Sequence, residues 1–296
     1  MERTKGENMR YFSAFSGVGG FDLGMPANWE CIGMSEINKQ ANMVLKYHFK
    51  DVKNYGDIEK INYEELPDFE LLIGGSPCQD ISIAGKRAGL AGIRSRLFFS
   101  YVALLKSKKP QYFIFENVKG LLSSNNGWDF AEVANQFSEA GYDIWWQVLD
   151  AADFGIPQHR ERIFIFGALG GSGIKQVFFE PEDKRENTGL QGQKVNTITG
   201  RYGNGLSNGS YITEGKWQAQ GEKLQVERDR TGGKIRLLTP LECERLMGWP
   251  DNWTRYGINE KGDVVELSDN ARYNLIGNGV VPQVVRVIIE EKIKDL

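Results

Sequence analysis

The chain has 296 residues, with 36 Lys and Arg against 39 Asp and Glu and a formal net charge of −3 at pH 7. That length supplies a core for one large or two unequal domains, and the balanced charge excludes a chain-wide basic surface, so any nucleic-acid contact has to be local. Three dispersed cysteines (Cys31, Cys78, Cys243) and two histidines argue against a disulfide framework and a zinc site; no apolar stretch is long enough for a bilayer, and the polar first ten residues carry no apolar signal core, so a cytoplasmic protein is expected.

Residues 10–15 read as a first strand, Ser16-Gly17-Val18-Gly19-Gly20 as a tight turn, and Phe21 to Met25 as the beginning of a helix. A second strand, 29–35, ends at Glu36; Asn38 then caps a helix to about Phe49 with Ala41, Val44 and Leu45 on one face. Gly56-Asp57-Ile58 closes a third short segment. Residues 70–73 form a short apolar strand that ends in Gly74-Gly75, where Pro77 forces the chain away from the sheet. Cys78 follows, on the side of a parallel strand where ligands bind in open α/β sheets. Taken alone, it reads as a semi-buried thiol in a turn before it reads as a nucleophile.

Residues 83–96, rich in Gly, Lys and Arg, read as a mobile basic loop. Leu97 to Leu105 give the next helix; 111–115 form a strand ending at Glu116-Asn117-Val118; Phe130 to Phe137 give a helix stopped by Gly141; strands follow at about 142–150 and 162–168. This alternation predicts a doubly wound, mostly parallel α/β sheet. From about residue 169 glycine becomes frequent and the helical period vanishes, so 169–235 reads as a β- and loop-rich insert with ten Lys and Arg against eight Asp and Glu. Thr239-Pro240-Leu241-Glu242 is a capping box that opens a helix ended by Gly248, and Pro282 opens the last helix.

The glycine turn sits between a strand and a helix signal, and Glu36 ends the next strand about 20 residues on, where an acid can hold ribose hydroxyls. The adjacent Gly19 and Gly20 depart from the dinucleotide fingerprint and disfavour NAD. By itself the turn is also readable as a tight connection.

Six segments occur in order: Phe12-Ser-Ala-Phe-Ser-Gly-Val-Gly-Gly20, Gly75-Ser-Pro-Cys-Gln79, Phe115-Glu-Asn-Val118, Gln158-His-Arg-Glu-Arg162, the stretch from Arg236 to Pro250, and Gly277-Asn-Gly-Val280. Together they closely resemble the cytosine-C5 DNA methyltransferases of bacteria and phages, over nearly the whole chain. The resemblance implies a Rossmann-like, S-adenosylmethionine-dependent methyltransferase fold, with a catalytic domain of 1–168 plus 271–296 and a smaller target-recognition domain with its hinge at 169–270. It implies that Cys78 is the nucleophile that adds to cytosine C6, that Glu116 contacts ring N3 and the exocyclic amine, and that Arg162 holds O2 with Arg160 as its support. A free thiol has a pKa near ~8.5, so a local positive field is expected at Cys78, and a Glu116 that donates a proton near neutral pH needs a pKa raised by desolvation.

The cofactor implied is S-adenosylmethionine, lined by Phe15, Gly17, Gly19 and Gly20, with Glu36 on the ribose, Ile37, Asp57 and Ile58 at the adenine, and Asn278 and Val280 completing the pocket. Ser13-Ala14 stand where many relatives have Asp-Leu; cofactor binding is expected to survive this. Chemistry on a paired base needs its extrusion from duplex DNA, and 79–96 resembles the family's closing loop, with Gln79, Lys86, Arg87 and Arg94 as DNA contacts. In the insert, Thr197, Thr199 and Arg201 are candidate phosphate or base-edge contacts, with an ordinary polar hairpin as the alternative. A monomer without metal is expected. Two other readings stay open: C5 methylation of tRNA, as some relatives do, and an inactive DNA-binding relative.

Overall fold

The computed structural model describes residues 8–77, 96–170, 211–213, 216–218 and 235–293. The first half runs β1 (Arg10–Ala14), β2 (Glu30–Ser35), α1 (Lys39–His48), β3 (Leu71–Gly74), α2 (Arg96–Lys108), β4 (Tyr112–Val118), α3 (Trp128–Glu139), β5 (Tyr142–Asp150) and β6 (Glu161–Leu169). The short strands β7 (Tyr211–Thr213), β8 (Lys216–Gln218) and β9 (Ile235–Leu237) follow, then α4 (Pro240–Leu246), β10 (Tyr256–Ile258), β11 (Val264–Glu266), α5 (Asp269–Gly277) and α6 (Pro282–Lys292).

Among the described residues, six strands form one sheet in the order β2-β1-β3-β4-β6-β5. β1 pairs parallel with β2 and β3, and β3 with β4, whereas β6 runs antiparallel to both β4 and β5. The mostly parallel α/β fold expected from the alternation is therefore what forms, with one reversed strand. Side-chain alternation along each strand splits the apolar residues between two faces. Tyr11, Leu71, Ile73, Tyr112 and Ile114 share one core with α1 and α6; Phe12, Leu72, Phe113 and Phe115 share the other with Phe98, Tyr101 and Phe137 of α2 and α3. Tyr101 reaches through the second core and donates its hydroxyl to the carbonyls of Leu72 and Ile114, 3.2 and 3.1 Å away.

Local signals account for most element boundaries. The Asn38 side chain accepts the N–H groups of Gln40 and Ala41 at the start of α1, and Thr239 with Glu242 forms the reciprocal capping box of α4. Two expectations need correction. Phe21 to Met25 does not begin a helix: only a three-residue 3-10 turn forms over Asp22–Gly24. Gly24 lies against Val285 and Pro282 of α6, and Pro26 has no N–H to continue the turn. The glycine turn is thus not backed by a helix N-terminus. Strand β4 also runs on through Glu116-Asn117-Val118 rather than ending there, because β6 pairs with all three.

Residues 238–270 bury Leu238, Cys243, Leu246, Met247, Trp249 and Leu267 in the same core as Tyr11, Val18 and Leu71. Their anchor is polar. Glu244 is fully buried and accepts the N–H groups of Asn252 and Thr254, both at 2.8 Å, the Thr254 hydroxyl, and Arg272 Nη2 at 3.1 Å. Removing one partner of a buried pair leaves the other desolvated and uncompensated. Glu244→Ala is therefore expected to lower the unfolding free energy by about 3–5 kcal/mol in urea titration. A loss below about 1 kcal/mol, the range of an exposed pair, would contradict this burial.

Candidate active site

The site is built where β1, β2, β3 and β4 reach their carboxyl ends. At the end of β3, Gly75 lies against Glu116: a Cβ there would stand 2.5 Å from the Glu116 carbonyl and 3.0 Å from its carboxylate. The next residue is clamped, since Asn117 Nδ2 donates to the Ser76 carbonyl at 3.2 Å. The buried Ser76 hydroxyl has no hydrogen-bond partner among the described residues. Pro77 is the last described residue of this segment. Cys78, Gln79, Lys86, Arg87 and Arg94 lie outside the described residues, as do Thr197, Thr199 and Arg201.

Glu116 and Arg162 come together from facing strands. Val118 pairs with Arg162 and Glu116 with Phe164, so Arg162 is the diagonal neighbour of Glu116 on the same face. Arg162 Nε lies 3.1 Å from Glu116 Oε1, with both side chains less than a fifth exposed. Burial raises the Glu116 carboxyl above its usual range, against the opposing pull of the Arg162 and Arg160 guanidiniums. Arg160, just before β6, is buried. Its Nη2 donates to the carbonyls of Gly277 and Gly279, at 3.1 and 2.7 Å, and so ties the turn between α5 and α6 to the start of β6. Burial and the nearby Arg162 lower its pKa to about 9, which leaves it charged at neutral pH.

The glycine turn follows β1. Phe15 takes a left-handed backbone (φ 53°), a strained state for a side-chain-bearing residue that favours a functional turn. Gly17 is also left-handed (φ 55°), and among the described residues nothing lies within 4 Å of where its Cβ would stand. The Gly17 N–H donates to Glu36 Oε2 at 2.8 Å, and Asn38 N–H to Glu36 Oε1 at 2.7 Å. Burial raises the Glu36 carboxyl. Ile37 beside it is 64 % exposed. Asp57 caps the next turn by accepting the Glu59 N–H at 3.1 Å, whereas the Ile58 side chain is buried in the α2-side core. Gly20 lies against the Val280 backbone, and Asn278 is exposed at the end of α5. The glycine turn, Glu36 and Val280 are thus held together in one cradle by these contacts. Gly19 is buried beneath it against the Phe49 ring.

Two tryptophans hold this cradle from behind. Trp249 Nε1 donates to the Val280 carbonyl at 2.9 Å, and Trp253 Nε1 to the Val18 carbonyl at 2.8 Å while its ring stacks on His48 at 3.6 Å. The sequence reading did not single out Trp253, Asn117 or Ser76. The last two flank residues it had singled out, but their contact joins strands far apart in sequence. Among the described residues no cluster of three or more His, Cys, Asp or Glu could hold a metal, and no helix is long and apolar enough to cross a membrane.

The architecture is that of a methyltransferase. A solved Entamoeba histolytica methyltransferase, EhMeth, matches with a TM-score of 0.71 at 19 % identity, covering 98 % of this chain and 99 % of that one. In sequence, the model of the C-5 cytosine-specific DNA methylases matches residues 9–220 and 187–294, and the chain belongs to that family. Type II methyltransferase M.HhaI of Haemophilus parahaemolyticus is 31 % identical over 314 residues, covering 95 % of this chain and 93 % of that protein. An orphan methyltransferase of Bacillus phage rho11s is 44 % identical over 164 residues, covering 54 % of this chain and 33 % of that one. The chain thus spans about a third of the length of the phage relatives it matches. The methyltransferase class expected from the motifs stands.

A carboxyl whose folded pKa is raised takes up a proton on folding, so its contribution to stability falls as pH rises through that window. Glu116→Gln mimics the protonated form. Its melting temperature at pH 8 is expected to equal or exceed that of the unaltered protein, with the difference shrinking towards pH 4, near the ordinary glutamate value of about 4.3. A variant less stable at pH 8 and level at pH 4 would mean that the Arg162 pair outweighs desolvation.

Proposed function

We propose that the protein transfers a methyl group from S-adenosylmethionine to carbon 5 of cytosine in a short sequence of duplex DNA, through base flipping and covalent addition of Cys78 to C6. The observation that carries this reading is the buried Glu116–Arg162 pair, 3.1 Å apart, against Gly75 at the end of β3. Cys78 follows Pro77 directly, so one peptide unit of about 3.8 Å separates it from the described wall of the site.

The residues fit the cofactor. The open space at Gly17 accepts a ligand against the backbone, Glu36 offers carboxylate oxygens to a ribose diol, and exposed Ile37 with Asp57 and the Ile58 backbone suits an adenine. Phe15, Gly19 and Gly20 form the floor, and Asn278 and Val280 close the far side. When bound, S-adenosylmethionine supplies an electrophilic methyl group.

The Cys78 thiolate attacks C6 of the extruded cytosine and forms an S–C6 bond. Electron density moves to C5 and into the ring, and protonated Glu116 donates to N3 to neutralise it. Desolvation raises the Glu116 pKa in the direction this donation requires. Arg162 turns its guanidinium to O2, while Arg160 keeps the Asn278–Val280 turn in register with the base pocket. Once C5 carries the methyl group that S-adenosylmethionine would supply, the sulfonium leaving as the neutral thioether, the C5 proton leaves to a base or ordered water, N3 returns its proton to Glu116, and the S–C6 bond breaks to release the Cys78 thiolate.

In this reading 79–96 closes on the flipped base, with Gln79, Lys86, Arg87 and Arg94 on DNA. Of the 169–270 expected for the target-recognition unit and its hinge, the recognition part is 169–237, with Thr197, Thr199 and Arg201 facing phosphates or base edges. Residues 238–270 are assigned with 1–168 and 271–296 to the catalytic unit, because they share its core. The protein works as a monomer in the cytoplasm, where its substrate lies.

Cys78→Ser is expected to lower turnover by about 10³-fold or more while S-adenosylmethionine binding persists. Duplex DNA with 5-fluorocytosine at the target is expected to trap the unaltered protein, but not the variant, as a band stable to denaturing electrophoresis. Full methylation by the variant would overturn the nucleophile assignment. Labelled methyl transfer to tRNA in preference to duplex DNA would overturn the substrate assignment.

A further inference from the structure

We propose that Asn54 is a positioning residue that sets both cofactor-facing acids, Glu36 and Asp57, with Asn42 orienting it. The inference rests on the cofactor reading above. Glu36 is the first residue beyond β2, so its own peptide groups have left the sheet ladder and need partners elsewhere. The segment 53–55 runs along β2: Met34 N–H donates to the Lys53 carbonyl at 2.9 Å and Tyr55 N–H to the Met34 carbonyl at 2.8 Å. Beyond that point the Asn54 side chain continues the ladder in place of a peptide. Its Oδ1 accepts the Glu36 N–H at 3.1 Å, and its Nδ2 donates to the Glu36 carbonyl at 3.1 Å.

The same Oδ1 accepts the Gly56 N–H at 2.9 Å, so one amide links the residue that carries the ribose carboxylate to the residue just before Asp57. Two backbone donors at one atom fix which end of the amide is oxygen. Asn42 completes the arrangement. Its Oδ1 accepts from Asn54 Nδ2, and its Nδ2 donates to the Glu36 carbonyl at 3.1 Å. Ser35 adds a parallel tie, donating its hydroxyl to the Gly56 carbonyl at 2.7 Å.

Asn42 and Asn54 also line a cavity of about 420 Å³ with Met34, Leu45 and Phe49. The space beside them is open, so hydrogen bonds rather than tight packing hold the two amides. Truncating Asn54 admits water there and releases Glu36 without opening the core.

The test uses the full chain as unaltered protein, Asn54→Ala and Asn54→Asp. The aspartate keeps the acceptor for both N–H groups but turns an acceptor towards the Glu36 carbonyl. Both variants are expected to weaken S-adenosylmethionine binding in calorimetry by about tenfold, the scale of losing one or two buried hydrogen bonds. Methylation should show the KM for S-adenosylmethionine raised by the same factor, with kcat at saturation unchanged and thermal unfolding without ligand nearly so. Binding equal to the unaltered protein in either variant that folds would overturn the proposal. So would a lowered melting temperature with an unchanged dissociation constant, which is what a merely structural role gives. An unaltered protein that binds no S-adenosylmethionine would overturn the cofactor reading itself, and is told apart because it needs no variant.

Discussion

A carboxyl group buried against a guanidinium on the neighbouring strand governs this molecule. Glu116 sits within β4, mostly shielded from water, and Arg162 meets it from β6 at 3.1 Å. Two effects of opposite sign act on that carboxyl: burial favours the neutral acid and the arginine favours the anion. Burial prevails and pushes the carboxyl up, in the direction that favours the neutral acid. The arrangement exists because β6 is reversed. A parallel neighbour would carry Arg162 to the far end of the sheet, whereas the antiparallel register sets Val118 opposite Arg162 and brings the two side chains onto one face.

The remainder of the site is joined to this pair by contacts that span the chain. Asn117 holds the backbone of Ser76 and so fixes where β3 delivers the residues beyond it. Arg160, two residues from Arg162, holds the turn at Gly277 and Gly279. Trp249 and Trp253 reach from the segment after α4 to Val280 and Val18. The Glu116–Arg162 pair and the glycine turn are therefore mechanically linked, and the buried Glu244–Arg272 network anchors the segment 238–270 that carries both tryptophans.

What could be read from the residues was local. The Asn38 cap, the Thr239 capping box, the glycine turn and the apolar run before Gly74-Gly75 each involve neighbours in sequence, and each forms as expected. The ordered motifs identified the family because their residue types and order are specific even where each motif alone is weak. Contacts between distant segments were not legible. Nothing in Glu116-Asn117-Val118 announces that a strand 43 or more residues later will pair with it, so the strand was expected to stop early. The helix expected after Gly20 fails because of Gly24 meeting α6 and because of Pro26. The role of Asn54 has no periodic signature at all: it depends on a loop residue lying beside the end of a strand.

The most direct measurement is nucleoside mass spectrometry of duplex DNA incubated with the purified protein and S-adenosylmethionine. Chemistry through Cys78, Glu116 and Arg162 yields 5-methyl-2′-deoxycytidine as the methylated product, and yields none with Glu116→Ala. A product methylated on an exocyclic amine, as N4-methyl-2′-deoxycytidine or N6-methyl-2′-deoxyadenosine, would contradict it, because neither needs an activated C5.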